Sequence, residues 1–217
     1  MWSANASAVG LGSAQNYSNL SEERGFSDND RRNVANISGI WNLDYYHGAS
    51  GWKKQLANGW KISAIVFLQS GNPVNITTGT DNNLDGYNND RPNLVPGANP
   101  FLDPHRPRPV AATAWFNKAA FTPNGPGLSG GIGPGGADGN TPRDFLRSPG
   151  YRDIDMSMQR EFRIREGMAF QFKADSTNVF NLVSLNAPNA TLSSPNVGKI
   201  TAAAPNRIIQ LGARFTF

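Results

Sequence analysis

The chain has no cysteine and only two histidines, His47 and His105, among 217 residues. Without thiols, disulfides and thiolate metal sites are excluded, and no compartment is selected. Neither histidine has a serine or carboxylate at a nucleophile or zinc spacing. His105 lies in Asp103-Pro104-His105-Arg106-Pro107-Arg108, which reads as a stiff exposed loop. The glycines at 130, 131, 133, 135 and 136 lack the lysine and the strand-to-helix setting of a phosphate loop. Asp153 and Asp155 stand two apart, an imitation of a catalytic carboxylate pair that reads better as two solvated side chains. No catalytic residue is assigned, and the chain reads as a non-enzyme. Nor is there an apolar run of about 18 residues, so no transmembrane helix is expected. Basic residues outnumber acidic ones by 20 to 16 but are scattered, which argues against a nucleic-acid surface. The start, Met1-Trp2-Ser3-Ala4-Asn5, has neither the basic nor the apolar region of a signal peptide. Apolar residues are few, at 38%, against 23 glycines and 15 prolines. Two classes tolerate that balance: a disordered chain, and a transmembrane β-barrel, in which only alternate strand residues meet lipid.

What is present favours the barrel. In the last stretch Ile209, Leu211, Ala213, Phe215 and Phe217 alternate with Gln210, Gly212, Arg214 and Thr216. A period of two marks a strand. An apolar face ending in aromatics suits lipid and its interface. Four further stretches alternate in the same way. The strands are expected near 34–45, 60–70, 153–162, 168–179 and 207–217. In the first, Ala35, Ile37, Gly39, Trp41, Leu43 and Tyr45 share a face, and Trp41, Tyr45 and Tyr46 reach an interfacial girdle. In the second, Trp60, Ile62, Ala64, Val66 and Leu68 oppose a mixed face. In the third and fourth, Ile154, Met156 and Met158, then Met168, Phe170, Phe172 and Ala174, oppose charged and polar residues. Charge on the reverse face is what a wet lumen allows and a dry core penalises.

The connections are unequal. Arg163 to Gly167 reads as a tight turn, and His47 to Asn58 as a longer one. The segment 71–150 reads as one long, irregular, Pro/Gly-rich loop, with a short helical turn within Ala111–Ala120 and a mobile glycine-rich part from Leu128 to Gly139. Val74 to Thr77 is expected to prolong the second strand, and Phe180 to Asn206 is a further loop. The charged run Glu22 to Arg32 reads as solvated loop, with a ligand-contacting rim as the alternative. Placing Phe217 at the periplasmic side makes both short turns periplasmic and both long loops external, the pattern of outer-membrane barrels.

The closing Gln210-x-Gly212-x-x-Phe215-x-Phe217 resembles the C-terminal assembly signal of bacterial outer-membrane barrels. Other stretches, in collinear order, resemble the C-terminal barrel of TonB-dependent receptors of the Oar-like group. These are Glu23-Arg24-Gly25-x-Ser27-Asp28-x-Asp30-Arg31-Arg32, Gly59-Trp60-x-Ile62-Ser63-x-Ile65 with Gln69-Ser70-Gly71-x-Pro73, Asp85-Gly86-x-Asn88-x-Asp90-Arg91-Pro92-Asn93, Trp115-Phe116-Asn117-x-Ala119-Ala120-Phe121, and Asn178-Val179-Phe180-Asn181. The resemblance implies energised uptake of a nutrient, with outer-membrane lipid, the barrel assembly machinery, the remaining barrel and plug of a parent receptor, and the TonB complex as partners. The TonB complex would act only through an N-terminal part that this chain lacks. Such transporters have about 22 strands, far more than are legible here. The expectation is therefore a C-terminal fragment, incompetent for transport alone and located in the bacterial outer membrane. Its fold class is all-β: an antiparallel, up-and-down transmembrane barrel segment over residues 1–217, an open partial sheet with long extracellular loops.

One motif invites a metal. Asp81, Asn83 and Asp85, with Gly86 next, match the opening of an EF-hand-type calcium loop, and Asp90 stands in for the missing terminal glutamate. A structural calcium ion is the candidate cofactor; the competing reading is an Asn/Gly-rich turn closed by its own side chains. That loop also supports the alternative function, a secreted β-sandwich module holding carbohydrate.

Overall fold

The computed structural model describes residues 14–16, 19–45, 51, 54, 57–83, 86–123 and 138–217. Tyr46, His47 and Asp85, with most of the 47–58 turn and of the glycine-rich part from Leu128, lie outside the described residues. Two compact units are present. One comprises residues 33–70, 151–184 and 204–217; the other comprises 1–32, 71–150 and 185–203.

The first unit is a single antiparallel sheet of five strands. They are β1 (Val34–Leu43), β2 (Trp60–Gln69), β7 (Tyr151–Arg165), β8 (Met168–Thr177) and β9 (Ile208–Thr216), in the order β1-β2-β7-β8-β9. Register assembles the expected faces into continuous surfaces. Ile37 opposes Val66, Val66 opposes Ile154, Met158 opposes Ala174, and Ala174 opposes Leu211. Asn42 opposes Lys61, Lys61 opposes Gln159, Gln159 opposes Lys173, and Lys173 opposes Gly212 on the reverse. Charges there pair locally: Lys173 lies 2.8 Å from Asp175, and the Tyr151 hydroxyl donates to Asp153 at 2.9 Å. Ile40, Ile65 and Phe67 also sit on this polar face, so the alternation is imperfect in β1 and β2.

The apolar face is bare. Ile37 is 61% exposed, Leu211 67% and Phe215 48%. No hydrophobic residue of the sheet is buried among those described. Each large apolar side chain left in water forfeits about 1.5–3 kcal/mol, and the six exposed on this face, Ile37, Trp41, Met158, Ile209, Leu211 and Phe215, would together offset the marginal stability of a soluble domain. Hydrocarbon removes that penalty. The sandwich alternative fails here, because this unit has one sheet only and buries none of its hydrophobic residues among those described.

Arg152 and Arg160 bracket the apolar run of β7. Eight residues separate them, about 27 Å at ~3.4 Å per residue and about 20 Å after a barrel-like tilt of ~40°. Arg160 is buried under rings, its guanidinium 4.4 Å from the centroid of Phe162 and 5.6 Å from that of Trp60. Trp60 meets Phe162 and Phe172 edge-on at 6.5 and 6.4 Å. The Trp41 indole donates to the Tyr45 hydroxyl at 2.5 Å. These aromatics gather at the sheet end that carries the β7–β8 turn and Phe217, as an interfacial girdle requires.

Sequence expectation and structure differ in two places on this sheet. β7 runs to Arg165, past a register shift between Arg163 and Arg165, so the turn shrinks to Glu166-Gly167. Gly167 supplies the positive φ of 78° that the turn needs. And β2 stops at Gln69 without prolongation, since β3 (Pro73–Val74) pairs instead with β6 (Leu146–Arg147).

The second unit corrects the reading of 71–150 and 180–206 as irregular loop. β3–β6 and β4–β5 (Asn93–Leu94 with Phe121–Thr122), helix α1 (Arg108–Thr113) and 3-10 turns at Leu20–Glu23 and Lys118–Ala120 surround a dry core. That core is Ile76, Phe116, Ala120, Phe121 and Leu146, with Val74, Leu94, Trp115, Leu192 and Val197 packed on it. Prolines and glycines punctuate the sequence but leave backbone bonds intact: Leu192 N donates to Thr77 O at 2.9 Å, and Trp115 N donates to Gly198 O at 2.6 Å.

Candidate functional site

The second unit also holds a polar core centred on Glu23. The residue closes a 3-10 turn and is 7% exposed. Its Oε1 accepts from Arg91 at 2.7 Å and from the Gln15 backbone at 2.9 Å; its Oε2 accepts from Arg143 at 2.8 Å. Arg91, 2% exposed, continues to the Thr141 carbonyl at 2.9 Å and the Glu22 carbonyl at 3.1 Å. Gln15 returns the bond, its Oε1 accepting from Arg91 N at 2.7 Å. Three distant stretches, 15–23, 91 and 139–143, are locked by one carboxylate. Close backbone approach makes the lock possible: a Cβ on Gly25 would strike the Arg143 carbonyl, and one on Gly139 the Arg91 carbonyl.

Charge follows the geometry. Burial raises the Glu23 carboxyl, but the Arg91 charge and three hydrogen bonds, from Arg91, the Gln15 backbone and Arg143, outweigh it and hold the group below the usual range. Burial likewise works against the Arg143 cation, and Glu23 overrides it. Asp144 goes the other way. Burial and the neighbouring Asp28 carboxylate push it up to about 6 against the pull of Arg143. The charged run 22–32 is thus no simple solvated loop, because its Glu23 is the hub of a buried network. A lone carboxylate in a polar run carries no sequence mark of burial; its two arginine partners are supplied by residues 68 and 120 positions away.

Of the calcium candidates, Asp81 Oδ2 accepts from Gly86 N at 2.9 Å. Asn83 is buried and gives its amide to Gln15 O and to Asp138 at 2.8 and 3.0 Å. Asp90 Oδ2 accepts from the backbone of Asn82 and Asn83 at 2.5 and 3.2 Å. Asp85 is not described. Among the described residues no three acidic or histidine side chains converge for a metal. The described groups engage backbone and amide donors, as the turn reading expects.

The assembly-signal residues lie on β9 or at its end: Gln210 and Gly212 on the polar face, Phe215 on the apolar face, Phe217 94% exposed with its ring 6.2 Å from that of Phe215. Among the described residues His105 pairs with Asp103, at 3.3 Å, and both side chains are exposed.

A cleft of about 330 Å³ opens in the same unit. Phe26, Phe101, Phe145 and Trp115 line it together with Arg32, Arg106 and Arg147. The Trp115 indole donates to the Arg147 carbonyl at 2.6 Å, and Phe101 packs on Phe145 at 5.3 Å. Phe26 lies between two guanidiniums, Arg147 at 4.7 Å and Arg32 at 5.8 Å from its centroid. Sequence reading took in Trp115 and Phe116 only as part of a motif and missed the cleft, since its walls come from four separate segments.

An open antiparallel sheet with one bare apolar face, one polar face and an aromatic girdle defines an outer-membrane-type barrel wall. The chain belongs to the outer membrane beta barrel domain family, whose model matches residues 2–210. No curated protein and no solved structure matches it significantly. Family membership places the protein in the outer membrane.

Proposed function

We propose that this chain is the C-terminal barrel portion of a TonB-dependent receptor of the Oar-like group, supplying barrel wall and external loops for nutrient uptake. The open sheet carries the reading. β1 and β9 are edge strands, and a bilayer tolerates no unpaired backbone in contact with lipid. Five strands need others to close a wall, and a large receptor barrel supplies them. The collinear motifs support the same parent: two of their members, Glu23 and Arg91, meet in the buried network. On this reading the chain catalyses nothing and transports nothing alone. The plug and the TonB-contacting segment come from the rest of the receptor, and the assembly machinery reads the end at Phe217.

The absence of cysteine makes the test clean. Ile40→Cys on β1 and Ile208→Cys on β9 are each introduced singly and labelled with maleimide-benzophenone, which inserts into any neighbouring C–H bond when irradiated in outer membranes of cells expressing the chain from its own locus. Cross-links to barrel strands of a plug-bearing polypeptide are expected. Cross-links only to a second copy of this chain would overturn the proposal.

A further inference from the structure

We propose that the cleft between Phe26, Phe101 and Trp115 binds a small aromatic carboxylate; the inference deepens the receptor reading and rests on it for the cleft's place outside the membrane. The lining is mostly ring and aliphatic surface, so the ligand's body is apolar. Among the lining residues Asp103 is the sole side-chain acceptor, and it is already engaged by the His105 backbone and ring at 2.9 and 3.3 Å. A sugar, which needs many acceptors and donors, finds few partners.

The charges select an anion. Arg106 spends its donors on the carbonyls of Asp103, Ala114 and Trp115, bonds of 2.8, 2.7 and 3.3 Å that fix its position without neutralising it. Arg147 is ion-paired with Asp30 and bonded to the Gly71 carbonyl; its buried Nε has no partner. Arg32 is exposed and stacked on Phe26, with no hydrogen bond among the described residues. Three lining cations therefore meet two carboxylates, Asp103 in the lining and Asp30 on Arg147, which leaves one positive charge over, and the Arg32 guanidinium fork stands at the mouth for a bidentate partner. The rings beside it complete the match. Phe26 and Phe101 are 46% and 54% exposed, although the unit has a core that buries Phe116 and Phe121. Rings held at a cleft mouth by stacked cations and by a neighbouring ring are platforms for a second ring. The volume lies at the small end of ligand pockets, which suits one fused ring system with its acid group.

The test uses outer membranes of cells expressing the chain from its own locus, with membranes of a strain lacking that locus subtracted, and follows the bound probe by equilibrium dialysis. The probe is 2-naphthoate and its neutral counterpart 2-naphthalenemethanol. Saturable naphthoate binding is expected, with the alcohol weaker by about tenfold or more and Arg32→Gln weaker by a similar factor, the loss of one charge-assisted fork. Phe101→Ala, at an exposed ring, should weaken both probes alike. No saturable naphthoate binding, or equal binding by wild type and Arg32→Gln, overturns the inference. The two proposals fail separately: a chain that cross-links to a plug-bearing barrel yet ignores naphthoate loses the cleft ligand and keeps the receptor.

Discussion

Glu23 shows how much one side chain can hold. It is buried between Arg91 and Arg143, so its removal strands two cations away from water. Glu23→Ala should destabilise the unit by about 3–5 kcal/mol, read as protease cleavage within 71–150 at concentrations the native chain survives. Unchanged resistance would demote the network to decoration. Asp144 offers the opposite sign. Its carboxyl is raised from 3.8 to about 6, so the folded unit holds that proton more tightly than the unfolded chain does. The resulting stability is complete below about pH 4 and is lost as pH rises through about 6. Asp144→Asn should remove this slope and raise stability at pH 7 by up to about 3 kcal/mol. The position has φ 54°, which asparagine tolerates. Thermal unfolding from pH 4 to 7.5 checks it; parallel curves for variant and native chain would contradict it. Glu23, held low, contributes in the other direction, its stability present above about pH 4.5 and lost on acidification.

At the scale of elements, the two faces of one strand make a paired test. Ala64 lies on the apolar face of β2, opposite Gly39 and Met156; Ser63, its neighbour, faces the other way. Ala64→Arg should cost about 2–4 kcal/mol of insertion, the penalty of a mid-membrane cation, and Ser63→Arg little. Heat-modifiable electrophoresis of outer-membrane fractions measures both, and equal effects would remove the lipid assignment. Deleting Phe217, exposed and with its ring beside that of Phe215, should lower the assembled fraction while leaving synthesis unchanged. The loop 79–94 closes with its own backbone donors, so millimolar calcium should leave its protease resistance unchanged; protection reversed by chelator would restore the cation, with Asp85 completing the set.

For the whole molecule, the two units illustrate two solvents. One has a dry core and a buried ion-pair network, as a water-facing unit must. The other exposes Ile37, Trp41, Met158, Leu211 and Phe215 on one face and buries no hydrophobic residue among those described. The second pattern was legible from the chain alone, because strand alternation has a period of two and needs no partner to be seen. Ile37, Met156, Leu211 and Phe215 could be assigned to one face by counting. The first was not. Leu146 belongs to a two-residue strand and Ile76 to none, so neither shows any periodicity, and Phe26, Trp115 and Phe145 converge from distant segments. Prolines and glycines, read as breakers, punctuate a compact unit whose bonds run between segments rather than within them.

The sequence by itself determined which residues of each strand meet lipid and which meet water, since pleating alone dictates that choice. Only the tertiary structure decided that Glu23 is enclosed by Arg91 and Arg143, and that Arg32 and three rings share a cleft. Those juxtapositions arise from long-range closure, and no local spacing encodes which distant segments will meet.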